Sequence, residues 1–202
     1  MALCTASEVR AIMPQLTGTS QDSILDTMIT RADTQMARWC LFPAATPGGV
    51  PTMEDTTYTR YFDGNGEGGV TLRLGIHPLV SVTTIHDDPD TRTYGASSLV
   101  AASDYDLDLE LGQAILTSTS THGAWSSRSY RSIKAVYVAG WVTVPEELKG
   151  LCAELVAHWW RLRKERGKNS VSQQGTSLSL IPETLPDRVK EGLAPYRLRD
   201  RL

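Results

Sequence analysis

The stretch Ile133–Arg163 constrains this chain more than any other, because its apolar residues repeat every two positions before Pro145 and with helical spacing after it. Such a change predicts a β-strand that passes directly into an α-helix. Beyond Pro145, Leu148, Leu151, Cys152, Leu155, Val156, Trp159 and Leu162 fall on one helical stripe. Proline suits the first turn, where its missing N–H had no partner, and Glu146 and Glu147 complement the positive end of the helix dipole. Arg161, Arg163, Lys164 and Arg166 suit the negative end, and Gly167 marks a stop.

Two further helices are expected upstream. Thr5 and Glu8 have the spacing of a capping box before Val9, Ile12 and Met13, and Pro14 ends that run. From Asp22, the residues Ile24, Leu25, Met28, Ile29, Ala32, Met36, Trp39 and Cys40 mark a second amphipathic face that stops before Pro43.

Between about Thr56 and Val142 the pattern is strand-like. Val70, Leu72 and Leu74 alternate with Thr71 and Arg73, and Tyr105, Leu107 and Leu109 alternate with Asp106, Asp108 and Glu110. Strands are also expected at Thr57–Phe62, Leu79–His86, Gln113–Thr117 and Ile133–Ala139, forming antiparallel sheets with one wet face. Leu79–His86 loses its alternation at Ile85, a sign either of a bulge or of a strand boundary placed wrongly. Two polar loops, Asp87–Ser103 and Ser118–Ser132, interrupt the sheet.

The expected fold class is therefore α+β: a three-helix scaffold with an antiparallel β-rich subdomain inserted between helices 2 and 3, plus an extended C-terminal arm. The boundaries are 1–55 for the N-terminal helices, 56–142 for the β subdomain, 143–167 for the long helix and 168–202 for a flexible linker and arm. The arm carries Leu180, Ile181, Leu185, Val189, Leu193, Tyr196 and Leu198, too few apolar residues for a core of its own.

Chemistry-bearing patterns are sparse. Asp63–Gly69 (DGNGEGG) is glycine-rich, but no Lys-Ser/Thr and no helix follow it, so it reads as a hairpin turn rather than a phosphate loop. His77, His86 and Asp88 have ligand chemistry suited to zinc, which supports a metal-dependent hydrolase as the rival reading, although no pair stands at i, i+4 on a helix. His158 reads as a partly buried structural histidine, and no serine lies in a GxSxG elbow. Cys4, Cys40 and Cys152 are an odd set without CxxC spacing and read as buried free thiols of a reducing compartment. Trp39, Trp141 and Trp159 are expected in the core. Trp125 stands in a polar loop with Arg128, Tyr130 and Arg131, a composition found at protein contacts, so it is either an interface residue or an anchor packing on its own sheet.

The formal net charge of −3 argues against a general nucleic-acid binder. No run of about 18 apolar residues is present, so no membrane span is expected. No basic region followed by an apolar block opens the chain, so no secretory signal is expected either.

The order of these pieces resembles the head–tail connector (adaptor, or head-completion) proteins of tailed bacteriophages. The resemblance is carried by Leu25-Asp26 and the helix to Trp39-Cys40, and by the Tyr61-Phe62-Asp63-Gly64 turn. It continues through Leu72-Arg73-Leu74, His77-Pro78-Leu79-Val80-Ser81-Val82, Tyr137 to Glu147, and Leu193-Ala194-Pro195-Tyr196-Arg197. It implies a non-enzymatic virion protein of the neck, assembled in the host cytoplasm, without cofactor or bound metal. Its copies would form a homo-oligomeric ring, typically twelve-fold, between the portal protein and the next neck or tail protein. DNA would pass along the channel without specific binding. The resemblance assigns portal binding to the arm, through Leu180, Ile181, Leu185, Val189, Leu193, Tyr196, Arg197 and Leu198. The long β insertion departs from the compact all-helical members. A DNA-packaging component that touches DNA directly is a third reading, and it predicts binding that weakens steeply with salt.

Overall fold

A computed structural model describes residues 3–63, 69–126, 130–163, 170–173, 176–179 and 185–198. It mixes helices with small antiparallel sheets, so the α+β class holds. The chain divides into two compact units, a helical one of residues 1–41 and 144–197 and a β-rich one of residues 42–143 with 198–202.

In the helical unit, α1 spans Ala6–Ile12, α2 Asp22–Trp39, α3 Glu146–Arg163 and α4 Asp187–Leu193. The capping box forms as expected: Glu8 N–H donates to Thr5 Oγ1 (3.3 Å), and Thr5 N–H donates back to Glu8 Oε2 (2.6 Å). Pro145 directly precedes α3, and its carbonyl accepts from Lys149 N–H (3.2 Å). Around α3 lie α1, α2 and α4. Its buried surface is consequently wider than a single stripe, taking in Ala153, Ala157 and Trp160 beside Leu148, Leu151, Cys152, Leu155, Val156 and Trp159.

The last of these contacts corrects the expectation of an extended arm. Residues Asp187–Leu193 are helical, a 3-10 turn follows at Ala194–Tyr196, and Val189 and Leu193 are buried. Gly192 makes the approach to α3 possible, since a Cβ there would stand 2.7 Å from Leu151 Cδ2. The expected flexible linker also contains paired backbone, with β7 (Ser170–Gln173) and β8 (Thr176–Ser179) pairing antiparallel.

The β-rich unit holds two three-stranded antiparallel sheets, ordered β1-β6-β3 and β2-β5-β4. Their strands are β1 (Thr56–Phe62), β2 (Thr71–Arg73), β3 (Leu79–Asp87), β4 (Tyr105–Asp108), β5 (Gln113–Leu116) and β6 (Ile133–Ala139). On β6, Ile133, Ala135, Tyr137 and Ala139 alternate inward. Tyr58 is the register partner of Tyr137, and the Tyr137 hydroxyl donates to Leu74 O (2.7 Å), fixing a buried polar tip. The irregularity expected at Ile85 falls earlier, as register shifts between Leu79 and Ser81 and between Val82 and Thr84. Val70 precedes β2 and is exposed rather than sharing the inward face of Leu72 and Leu74. Trp159 is buried as expected, whereas Trp39 and Trp141 are half-buried. The DGNGEGG turn lies largely outside the described residues.

After β6 the backbone turns at Gly140, whose φ of +117° suits glycine and whose absent Cβ would lie 2.3 Å from Glu54 O. Gly140 N–H donates to Pro78 O and Trp141 N–H to Met53 O, both at 2.9 Å, so neither side of the turn has room to shift. Gly140→Ala is expected to cost about 3 kcal/mol, read as a lowered denaturant midpoint; an unchanged midpoint contradicts the assigned crowding. Leu193→Ala should cost about 2–5 kcal/mol by opening a cavity beside α3, measurable by the same unfolding curve.

Candidate functional site: an aromatic and basic surface on the β-rich unit

The surface is built from the end of β3, where two adjacent carboxylates hold the two long loops. Asp87 is buried and stands 2.7 Å from His122 Nε2, which carries the donated proton since a carboxylate only accepts. Asp87 also accepts from Ser126 N–H (2.8 Å) and from the Ser126 hydroxyl. Serine and histidine thus both bind the carboxylate, an arrangement that tethers a loop rather than activating a nucleophile.

Trp125 sits inside this tethered loop. Its indole N–H donates to Val70 O (2.9 Å), and its ring lies 5.6 Å from that of His122. At 2% exposure it is an anchor on its own sheet, which corrects its candidacy as an interface residue. Arg128, named with it, lies outside the described residues.

Asp88 organises the other loop. Its carboxylate accepts from the backbone N–H groups of Thr91 (2.9 Å), Thr93 (2.9 Å) and Tyr94 (3.0 Å) and from the Thr91 hydroxyl. These donors, the Thr91 backbone foremost, hold the Asp88 carboxyl well below the usual carboxylate range. They also hold Arg92 and Tyr94 in the left-handed region, at φ of 56° and 52°.

The loop geometry brings Tyr94 to Tyr61 of β1, with ring centroids 5.4 Å apart. The Tyr94 hydroxyl donates to Arg131 O (2.6 Å), and Arg131 N–H donates to Asp63 Oδ1 (2.7 Å). The Arg131 guanidinium lies over the rings of Tyr61 (4.8 Å) and Tyr130 (5.8 Å), and Lys134 Nζ lies over Tyr94 (5.5 Å). Tyr61, Tyr130 and Arg131 are exposed, the two rings at 41% and 65%, while Tyr94 and Lys134 are half-buried. Each exposed cation–π contact contributes about 0.5–1 kcal/mol. The arrangement is suited to docking another macromolecule through aromatic and arginine contacts.

Of the loop candidates, Tyr130 and Arg131 thus lie on the surface. Tyr61, Tyr94 and Lys134 were not singled out from sequence, although Tyr61 and Lys134 are register partners on β1 and β6. Tyr94 joins them through the Asp88 turn, and its contact with Tyr61 of β1 is not a local property of the sequence.

The residues of the metal reading are not gathered into a ligand set. His86 Nδ1 lies 3.2 Å from Gly95 O and 3.3 Å from Ser98 Oγ, and Asp88 is committed to its turn. Among the described residues, no three His, Cys, Asp or Glu side chains are placed to hold a metal ion. His158 is half-buried; burial and, secondarily, Arg161 push its pKa down.

The tail residues are mostly engaged within the chain. Leu185 is half-buried, while Val189, Leu193 and Leu198 are buried. The Tyr196 hydroxyl donates to Glu147 Oε2 (2.6 Å), and burial together with that carboxylate pushes its pKa to about 12. Arg197 is exposed, with its guanidinium 5.5 Å from the Trp39 ring. Leu180 and Ile181 lie outside the described residues.

No helix among the described residues is long and apolar enough to cross a membrane. No family model matches the chain, and no curated protein matches it.

Asp88→Ala is expected to lower the melting temperature at neutral pH by removing the acceptor for three backbone donors. Because the folded pKa lies below the unfolded value of about 3.9, this contribution is complete above that pH and disappears as pH falls through the folded pKa. Melting curves should therefore show the wild-type advantage shrinking below about pH 4; an advantage independent of pH contradicts the assignment.

Proposed function

We propose that the chain is a structural virion protein, a head–tail connector (adaptor) whose copies form a ring between portal and tail and prolong the DNA channel. In this reading α1, α2 and α3 are the scaffold, and the β-rich unit inserted between α2 and α3 supplies contacts to neighbouring subunits or to the next neck or tail protein.

The observation that carries the reading is the Tyr61, Tyr94, Tyr130, Arg131 and Lys134 surface. Tyr61, Tyr130 and Arg131 are exposed and Tyr94 and Lys134 half-buried, and two carboxylates with hydrogen-bonded loops hold the group in place. Ordering the loops in advance lowers the entropic cost of docking, which suits an assembly protein. A ring also needs two different faces that meet head to tail. Among the described residues, β1 pairs only with β6, which leaves its outer edge as a second candidate face. The acidic balance of the chain lets DNA slide through a channel without being gripped. Arg163 lies over the Trp160 ring (5.2 Å), and we assign the basic end of α3 to a protein neighbour rather than to the channel.

The arm takes a smaller part in this reading than the resemblance implied. Val189, Leu193 and Leu198 are buried, so portal contact falls to Arg197 together with Leu180 and Ile181. Deleting the whole tail would strip α4 from α3 and is no clean test of portal binding.

The test is co-expression with the portal protein encoded near this gene, followed by purification and electron microscopy. Rings bearing both proteins are expected, and Tyr130→Ala with Arg131→Ala should reduce ring recovery at least about tenfold, the range of a modest hot spot, while the variant still unfolds cooperatively, its melting temperature lowered only by the loss of the two Arg131 cation–π contacts. Full ring recovery by the double variant, or no association of the wild-type chain with portal, contradicts the reading.

A further inference from the structure

The helical unit holds a second piece of chemistry, unrelated to the docking surface. Cys4, in the short segment ahead of α1, and Cys152, in the middle of α3, have their Sγ atoms 3.0 Å apart, and both are buried. Cys4 Sγ–H donates to Cys152 Sγ, and Cys152 Sγ–H donates in turn to Asp33 Oδ1 of α2 (3.3 Å). The other oxygen of Asp33 accepts from Leu3 N–H (3.1 Å), which steadies the segment that carries Cys4. The third thiol, on Cys40, is buried elsewhere in the same unit, with Leu193 O 3.9 Å from its sulfur.

We propose that Cys4 and Cys152 are a latent disulfide pair, a site of reversible oxidation that staples the segment ahead of α1 to α3. A disulfide requires the sulfurs to close to about 2.05 Å, a movement of about 1 Å that side-chain torsions supply. A small organic disulfide, RSSR, is a sufficient oxidant. One cysteine thiolate attacks a sulfur of RSSR, forming a mixed disulfide and releasing RS⁻, which takes up the proton lost by the attacking thiol. The second thiolate then attacks the protein sulfur of that mixed disulfide and expels the second RS⁻, which is likewise protonated. Two protein thiols and RSSR become one protein disulfide and two RSH, with two electrons passing from the protein to the oxidant.

The same surroundings explain why the pair persists in the reduced form. The Cys4 contact, burial and the Asp33 charge all push the Cys152 thiol up, so little thiolate exists while the site is closed. Oxidation therefore follows local opening of the segment around Cys4, the shorter and less enclosed of the two elements. Once the mixed disulfide forms there, reclosure returns it to Cys152, and Asp33 is the nearest acceptor for the Cys152 proton. This proposal rests on the helical unit alone and stands or falls independently of the ring.

The bond would close a long loop, since 148 positions separate the two cysteines. Constraining the unfolded chain over such a length is the condition in which a disulfide stabilises most.

The test holds the full-length protein at pH 8 in oxidised and reduced glutathione, with denaturant below the unfolding transition to speed local opening, until the thiol count stops changing. After acid quenching and alkylation, the expected product has lost two thiols, contains a cross-linked peptide joining Cys4 to Cys152, and keeps Cys40 alkylated. Its melting temperature should rise by about 5–10 °C and return on reduction. Cys40→Ser should behave as wild type, while Cys4→Ser, at a site outside the helices, should lose both cross-link and shift. An endpoint with three alkylated thiols, with glutathione adducts in place of the cross-link, or with Cys40 in the cross-link overturns the proposal.

Discussion

Burial of α3 on nearly every side is the constraint on which the helical unit depends. Leu148, Cys152, Leu155 and Val156 are fully enclosed, and each large apolar side chain so enclosed contributes about 1.5–3 kcal/mol relative to exposure. No single neighbour covers that much of a helix. The N-terminal part of the chain supplies α1 and α2, and the C-terminal part supplies α4 through the close approach that Gly192 permits over Leu151. Segments that precede and follow α3 along the chain are thereby committed to it.

The β-rich unit solves a different problem, that of giving long polar loops one shape. Among the described residues, neither Asp87–Ser103 nor Ser118–Ser132 contains a regular strand or α-helix of its own. Their order comes from hydrogen bonds that converge on Asp87 and Asp88, while Trp125 pins the second loop to Val70 O. Buried carboxylates are costly without donors, and here the donors are the backbone N–H groups of the very loops being held. The exposed tyrosines and cations inherit that order, which gives the surface its value for docking.

The elements were largely legible in the sequence, because period and punctuation are local properties. The helix after Pro145, the Thr5–Glu8 cap and the alternation of β6 each became the expected element, although residues 140–145 stand between β6 and α3 and the strand does not pass directly into the helix. The failures share a cause, namely a partner remote along the chain. Trp125 has polar neighbours in sequence, but the acceptor of its indole N–H lies 55 positions away. Leu185, Val189 and Leu193 recur every four residues, yet Pro182, Pro186 and Pro195 suggested an extended arm. A seven-residue helix fits between Pro186 and Pro195, with proline ahead of the first turn where it is tolerated. Likewise, spacing gave no sign that Cys4 faces Cys152.

The insertion also imposes an order of events on synthesis. Apart from the last few residues, the β-rich unit is one continuous segment, residues 42–143, and its two sheets are complete once β6 has left the ribosome. The helical unit is split, so α1 and α2 emerge first and wait, their apolar faces uncovered, until α3 follows some hundred residues later. A nascent chain of this design passes through a stage in which its middle is finished while its beginning is still sticky, the circumstance in which chaperones engage a polypeptide during translation.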